Sequence, residues 1–489
     1  MRKVLISLAF LPLIALGNFS PFALMGGTWV YPSPAYTPPW TPPLHQSLPW
    51  IHVCGTHFVT QYGDYVTFHG VDYTGIEVYD LFSDNPSYQT PKDYEIIASW
   101  GFNLVRLPIG WNHLEPQPGV YNASYLNLVK DIVKEANSLG IYVVLDMVGA
   151  PTWTGGWQPD SIWYNSTLIE NVASTWGYVA SSFSDDPGVL GYDIYNEPLA
   201  PPPPNWSEAQ VYSAIARLDN ACVASIRKVD ARHIIFYESG HSAASVHPNY
   251  WVEPNDPSHQ LVIEVHDYGV ASNPAGSAAI LSAAVNASRS WGVPVIVGEF
   301  GYTHDVSYLY SFVKSFDQLG LSWCYWTYGV STPSSGSPAE FATFDSNGQV
   351  DPIVPYALEE PYPQLSSSPL SSLSVQRSAF SRAVTVKAEF SSPKGWALFF
   401  IPYGYSNPPG SFNETTRLLN VTYSNGQVAL NLEGPPVNWA YALGTAAVYI
   451  IAAAIALGVV AFIAGYVRKK GVESLKRSLE SARKPSTSA

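Results

Sequence analysis

Two glutamates in this chain each follow a short apolar run. One is Glu197, in Tyr192-Asp193-Ile194-Tyr195-Asn196-Glu197-Pro198; the other is Glu299, in Val297-Gly298-Glu299-Phe300-Gly301. Two carboxyls facing each other at about 5 Å can carry out a double displacement at a sugar carbon. One stays ionised and attacks; the other is protonated and releases the leaving oxygen. A nearby cation keeps the first charged, and a negative neighbour raises the pKa of the second. Taken alone, either glutamate reads equally well as a solvated loop residue. The chemistry depends on the elements that bring the two together.

Those elements alternate regularly. Apolar runs at 66–71, 104–108, 142–146, 190–195, 234–237, 261–265, 295–298 and 321–326 read as strands. Helical spacing lies between them, at 125–139, 168–183, 208–229, 277–291 and 306–319; the first places Leu126, Val129, Ile132, Val133 and Ala136 on one face. Such alternation implies a parallel sheet covered by helices. Eight units predict an α/β fold of the (β/α)8 TIM-barrel type, with the active site at the C-terminal strand ends. An open doubly wound sheet would carry a Gly-rich turn after its first strand; here that strand leads into Asp72-Tyr73-Thr74-Gly75. Glu197 and Glu299 then finish the fourth and seventh strands, on opposite sides of one barrel mouth. After residue 364 Ser and Thr rise, and short alternating runs predict a small C-terminal antiparallel β-sandwich.

The 489 residues carry a net charge of -14, and seven of the 24 Lys and Arg fall in 468–489. The rest of the chain is strongly acidic, which argues against a nucleic-acid partner. Few Lys among many carboxylates also suits an acidic working environment, and a pH optimum below about 6 is expected. Cys54, Cys222 and Cys324 have no zinc-ligand spacing, and the last two read as core residues. No metal or cofactor motif is evident. Two cations and an apolar run at 4–16 read as a secretory signal or N-terminal anchor. Residues 443–467 hold no charge and precede Arg468-Lys469-Lys470, which predicts a C-terminal transmembrane helix with a cytoplasmic tail. Six Asn-x-Ser/Thr triplets in the stretch 122–422, at Asn122, Asn165, Asn205, Asn286, Asn413 and Asn420, weakly favour an exterior location. The expected organisation is signal or anchor 1–27, Pro-rich arm 28–50, barrel 51–364, sandwich 365–438, membrane helix 439–467 and basic tail 468–489. The expected location is a single-pass cell-membrane protein with its barrel outside.

The stretch from residue 58 to 328 resembles glycoside hydrolase family 5, the cellulase-like group of the clan A (β/α)8 hydrolases. The resemblance rests on Phe68-His69-Gly70-Val71, Val105-Arg106-Leu107-Pro108-Ile109-Gly110-Trp111, Asn196-Glu197-Pro198, His266-Asp267-Tyr268, Gly298-Glu299-Phe300-Gly301 and Trp326. It implies Glu197 as acid/base and Glu299 as nucleophile. It implies that Arg106 and Tyr268 contact the nucleophile, Asn196 binds the sugar 2-hydroxyl, His266 positions the acid/base and Trp326 forms a stacking floor. The retaining reaction of the family needs no metal and no cofactor.

Glu115-Pro116-Gln117-Pro118-Gly119-Val120-Tyr121 and Glu360-Pro361-Tyr362-Pro363 look like the endoglycoceramidase branch, which cleaves oligosaccharide from ceramide. That branch implies a glycolipid substrate. An endo-β-1,4-glucanase or β-mannanase acting on polysaccharide is the alternative, and a non-catalytic carbohydrate-binding surface protein a third reading. One departure stands out: Val148 follows Asp146-Met147 where the family commonly carries histidine. His113 is a candidate to fill that gap.

Overall fold

The computed structural model describes residues 47–77, 91–154, 165–198, 203–238, 250–269, 274–301, 306–329, 343, 353–377, 381–406, 408–434 and 470–474. One compact unit lies within 32–377 and 383–434; separately, residues 470–474 form a helical turn. The signal or anchor expected at 1–27, the arm up to residue 46, the membrane helix within 435–469 and the tail from 475 to 489 lie outside the described residues. Among the described residues, no helix is long and apolar enough to cross a membrane.

The chain enters through three short strands, β1 (Ile51–Cys54), β2 (His57–Thr60) and β3 (Tyr65–Val66). The barrel follows: β4 (His69–Tyr73), β5 (Leu104–Gly110), β6 (Tyr142–Val148), β7 (Val189–Asp193), β8 (Ile234–Glu238), β9 (Leu261–Asp267), β10 (Val295–Phe300) and β11 (Ser322–Tyr328). Each strand pairs parallel with the next, and β11 closes on β4. The expected eight-stranded TIM barrel is therefore present. The first strand differs from its expected 66–71. That apolar run serves two sheets in succession, so periodicity alone does not mark where the chain passes between them.

Helices cover the barrel: α1 (Pro91–Ser99), α2 (Trp111–Leu114), α3 (Ala123–Ser138), α4 (Ser166–Phe183), α5 (Glu208–Ile226), α6 (Pro274–Trp291), α7 (Val306–Asp317) and α8 (Ile353–Leu358). The predicted face of α3 is buried, and the side chain of Asn122 caps its first turn by accepting from the N–H groups of Ser124 and Tyr125. Asn165 caps α4 in the same way, and Ser207 with Gln210 forms a capping box at α5. Cys222 and Cys324 are buried, in keeping with their surroundings in sequence.

Beyond the barrel come β12 (Tyr362–Ser366), β13 (Leu370–Arg377), β14 (Ala383–Phe390), β15 (Gly395–Phe400), β16 (Ser411–Asn413), β17 (Leu418–Tyr423) and β18 (Gln427–Glu433). They form two antiparallel sheets, one in the order β13-β14-β18 and one in the order β1-β2-β3-β12-β15-β17-β16. Val375, Val386 and Leu430 from the first pack with Phe399 and Leu419 from the second, which makes a sandwich. Its larger sheet takes in the N-terminal strands, rather than being built from 365–438 alone. The sandwich is fastened where the barrel begins. Tyr362 stacks on His69 with ring centroids 3.7 Å apart and donates its hydroxyl to the Gly101 carbonyl at 2.6 Å. The open, C-terminal end of the barrel faces the other way.

Candidate active site

Inside the barrel an apolar floor supports a charged layer. Leu104, Val144, Phe236, Val262 and Cys324 belong to the floor. Two residues further along their strands stand Arg106, Asp146, Glu238, Glu264 and Trp326. Side chains alternate along a strand, so each member of the second set points into the barrel above its partner in the first. On β10 this alternation is broken. The register against β9 shifts between Val297 and Glu299, which leaves Gly298 as an extra residue. Val297 and Phe300 pack outward in the barrel–helix core, while Glu299 turns inward. A Cβ on Gly298 would lie 1.7 Å from Glu264 Oε1, so only glycine fits there.

Arg106 is the hub. Its Nη1 reaches Asp72 at 2.9 Å, Glu299 at 3.0 Å and Asp146 at 3.2 Å. Its Nη2 reaches Asp193 at 2.7 Å and Asn196 Oδ1 at 2.9 Å, and its Nε reaches Glu264 at 2.8 Å. His266 is a second hub. Its Nδ1 lies 2.9 Å from Glu197 and 3.4 Å from Glu299; its Nε2 lies 3.3 Å from Glu264 and 3.6 Å from Glu238. The Tyr268 hydroxyl donates to Glu299 Oε2 at 2.6 Å. One carboxylate oxygen each of Glu197 and Glu299, with a His266 nitrogen, lie within 4.8 Å of one another. Three such ligand atoms could hold a metal ion, but Arg106 beside Glu299 and a charged His266 would repel a cation there.

Seven carboxyls thus share a mostly buried space with one guanidinium and one imidazole. They cannot all be ionised, because burying unpaired charge is costly. Burial pushes Asp193 up to about 8, with Glu264 adding to it; burial also raises Asp72, Asp146 and Glu238 well above the ordinary carboxylate range. Oxygens of Asp72, Asp146, Asp193 and Glu264 have no hydrogen-bond partner; shared carboxyl protons would satisfy them. Burial alone would discharge His266, but Glu299, Glu238, Glu197 and Glu264 outweigh it and raise its pKa well above 6.5. The charged ring in turn holds Glu197 below its ordinary value against the effect of burial. Burial raises Glu299, opposed by His266 and Arg106.

These raised acids predict how stability depends on pH. A carboxyl whose folded pKa exceeds its unfolded value makes its contribution below the unfolded value, and that contribution is lost as pH rises through the folded one. For Asp193 the window runs from 3.8 to about 8. The melting temperature is expected to fall across this window by on the order of 10 °C. A scanning-calorimetry series at constant ionic strength checks it, and a flat or rising profile would contradict it.

Of the residues singled out in sequence, Arg106, Asn196, Glu197, His266, Tyr268 and Glu299 converge. Trp326 stands half-buried on β11, bridged to Gly301. His113 lies in α2, with Asn112 at 3.2 Å and its ring on Tyr125 at 5.3 Å. At the position read as lacking histidine, Val148 is buried at the end of β6; Asp146, two residues earlier on that strand, reaches Arg106. Sequence reading missed Asp72, Asp146, Asp193, Glu238 and Glu264 as site residues. A signal for Glu264 is present in the chain, since it stands two residues before His266 on the same strand face.

A parallel barrel with two glutamates this close at its mouth can support glycoside hydrolysis. The pattern describing cellulases of glycosyl hydrolase family 5 matches residues 61–332, and the chain belongs to that family. It is a glycosidase of the retaining class. Over 234 residues it is 26% identical to endoglucanase B of Acetivibrio thermocellus, covering 44% of this chain and 36% of that protein. Over 344 residues it is 24% identical to endoglycoceramidase I of Rhodococcus hoagii, covering 56% and 67%. The chain therefore spans about a third of the length of the first relative and two thirds of the second. Among solved structures, endo-glycoceramidase II from Rhodococcus sp. in a cellobiose-like imidazole complex is similar at a TM-score of 0.61 and 19% identity, over 78% of this chain and 100% of that one. An endogalactoceramidase is similar at 0.60 and 19%, over 79% and 100%. At these identities the likeness concerns the fold.

Proposed function

We propose that the protein is a membrane-anchored, extracellular retaining β-glycoside hydrolase that cleaves glycolipids, with Glu299 as nucleophile and Glu197 as acid/base. The observation that carries this reading is the spacing of the two carboxylates, within 4.8 Å. A pair this close suits direct attack by one carboxylate, whereas inverting chemistry needs room for a water between them. Glu299 attacks the anomeric carbon as the glycosidic bond breaks, and Glu197 gives its proton to the leaving oxygen. Glu197 then takes a proton from water, the water oxygen bonds to the anomeric carbon, and the ester to Glu299 breaks. Arg106 and Tyr268 hold Glu299 for attack. Asn196 meets the 2-hydroxyl, His266 orients Glu197, and Trp326 supplies a stacking face. In the free site His266 holds Glu197 below its ordinary value and burial raises Glu299, the reverse of what the two roles expect, so the proposed pH optimum below about 6 rests on the acidic composition of the chain.

Three observations favour glycolipid over polymer. The alignment with the endoglycoceramidase is longer than that with the endoglucanase. A sandwich follows the barrel, and the fold likeness to endo-glycoceramidase II extends over all of that chain. The uncharged run 443–467 would hold the barrel beside lipid, outside the cell, with the cations at 468–470 retained within.

The test is incubation of the detergent-solubilised full chain with lactosylceramide, soluble β-glucan and mannan, with products identified by mass. Intact lactose and ceramide are expected. Fragmentation of β-glucan or mannan with the glycolipid untouched would favour an endoglucanase or mannanase, and turnover of none would leave a carbohydrate-binding protein.

A further inference from the structure

Glu197 has an uncommon backbone. Its φ of 40° lies in the left-handed region, which residues other than glycine seldom occupy and which persists only where the surroundings hold it. Its N–H is donated to a side chain, Glu238 Oε1, at 2.7 Å. Glu238 ends β8 and is 7% exposed. The same oxygen lies 3.6 Å from Nε2 of His266, whose Nδ1 lies 2.9 Å from the Glu197 carboxylate. One buried carboxyl therefore touches Glu197 at its backbone and, through one imidazole, at its reacting end.

We propose that Glu238 is a positioning residue that holds the backbone of Glu197 and the ring of His266 in register, so that the Glu197 carboxyl meets the leaving-group oxygen. The inference rests on the reading of Glu197 as acid/base. What Glu238 contributes is a fixed acceptor oxygen. Burial keeps it a neutral acid under acidic conditions, against the pull of His266. Glutamine is then a close replacement, with an acceptor oxygen in the same place. Alanine and methionine lack the acceptor, and methionine preserves much of the volume.

Leaving-group dependence separates positioning of the acid from a general structural role. A phenyl β-glycoside needs a proton on its departing oxygen, while a dinitrophenyl β-glycoside departs as a stable anion without one. kcat/KM for phenyl and dinitrophenyl β-cellobioside is measured for wild type, Glu238→Ala, Glu238→Met and Glu238→Gln, with folding followed by circular dichroism. The alanine and methionine variants are expected to lose about tenfold to hundredfold on the phenyl substrate and less than about threefold on the dinitrophenyl one. Glu238→Gln is expected to recover most of the phenyl activity. Equal losses on both substrates, unchanged phenyl activity in a folded methionine variant, or a glutamine variant no better than methionine would each overturn the role of Glu238. Those results would leave the proposed function standing. Failure of the wild type on both substrates, together with no release of lactose from lactosylceramide, would overturn the two together.

Discussion

Glu299→Gln folds and loses turnover of an aryl β-glycoside by about ten-thousand-fold or more. Glutamine has the size and shape of glutamate, and its carbonyl oxygen still accepts from Arg106, which lies 3.0 Å away in the wild type. It has no anionic oxygen to bond to the anomeric carbon, so the first displacement has no nucleophile. The substitution also removes the anion that contributes most to raising the pKa of His266. It relieves one charge in an acid-rich layer, so stability is expected to hold or rise, which separates loss of chemistry from loss of fold. Steady-state rates alongside a melting curve check both. Residual turnover within about tenfold of wild type would remove Glu299 from the role of nucleophile.

Arg106→Met is expected to cost about 3–5 kcal/mol of folding stability near neutral pH. Arg106 is 2% exposed and contacts Asp72, Asp146, Asp193, Glu264 and Glu299. Methionine fills much of the volume but leaves those carboxyls without their cation. Their pKa values rise further, so more stability is lost as pH climbs above about 4. Below that pH the acids are protonated in folded and unfolded chains alike, and the penalty shrinks. Urea unfolding at acidic and neutral pH measures the difference. A loss under about 1 kcal/mol, equal at both pH values, would show that the layer does not depend on its guanidinium.

Part of the site is legible in the residue pattern. Glu197 and Glu299 stand beyond the ends of apolar runs, and barrel architecture directs such positions toward one mouth; Arg106 is legible as the charge inside the run at 104–108. The acids around Arg106 are harder to see. Asp72 and Glu238 also end strands, but a lone carboxyl at a strand end reads as a solvated loop residue. Only the register across the barrel shows that they meet one guanidinium. Likewise, nothing in residues 51–66 announces that they complete a sheet with strands near the other end of the described chain. Sheet edges are matched by backbone hydrogen bonds, which carry little trace in side-chain pattern.

The order of residues suffices for the eight strands, five of the helices, the buried face of α3 and the two glutamates at strand ends, because burial periodicity and strand-end polarity are local properties. The inward direction of Glu299 is not local. Strict alternation from Val295 and Val297 would have aimed it at the helices. One extra residue, Gly298, closely approached by Glu264 from the neighbouring strand, reverses its direction. A bulge depends on how two strands pair, and that pairing exists only once the barrel has closed.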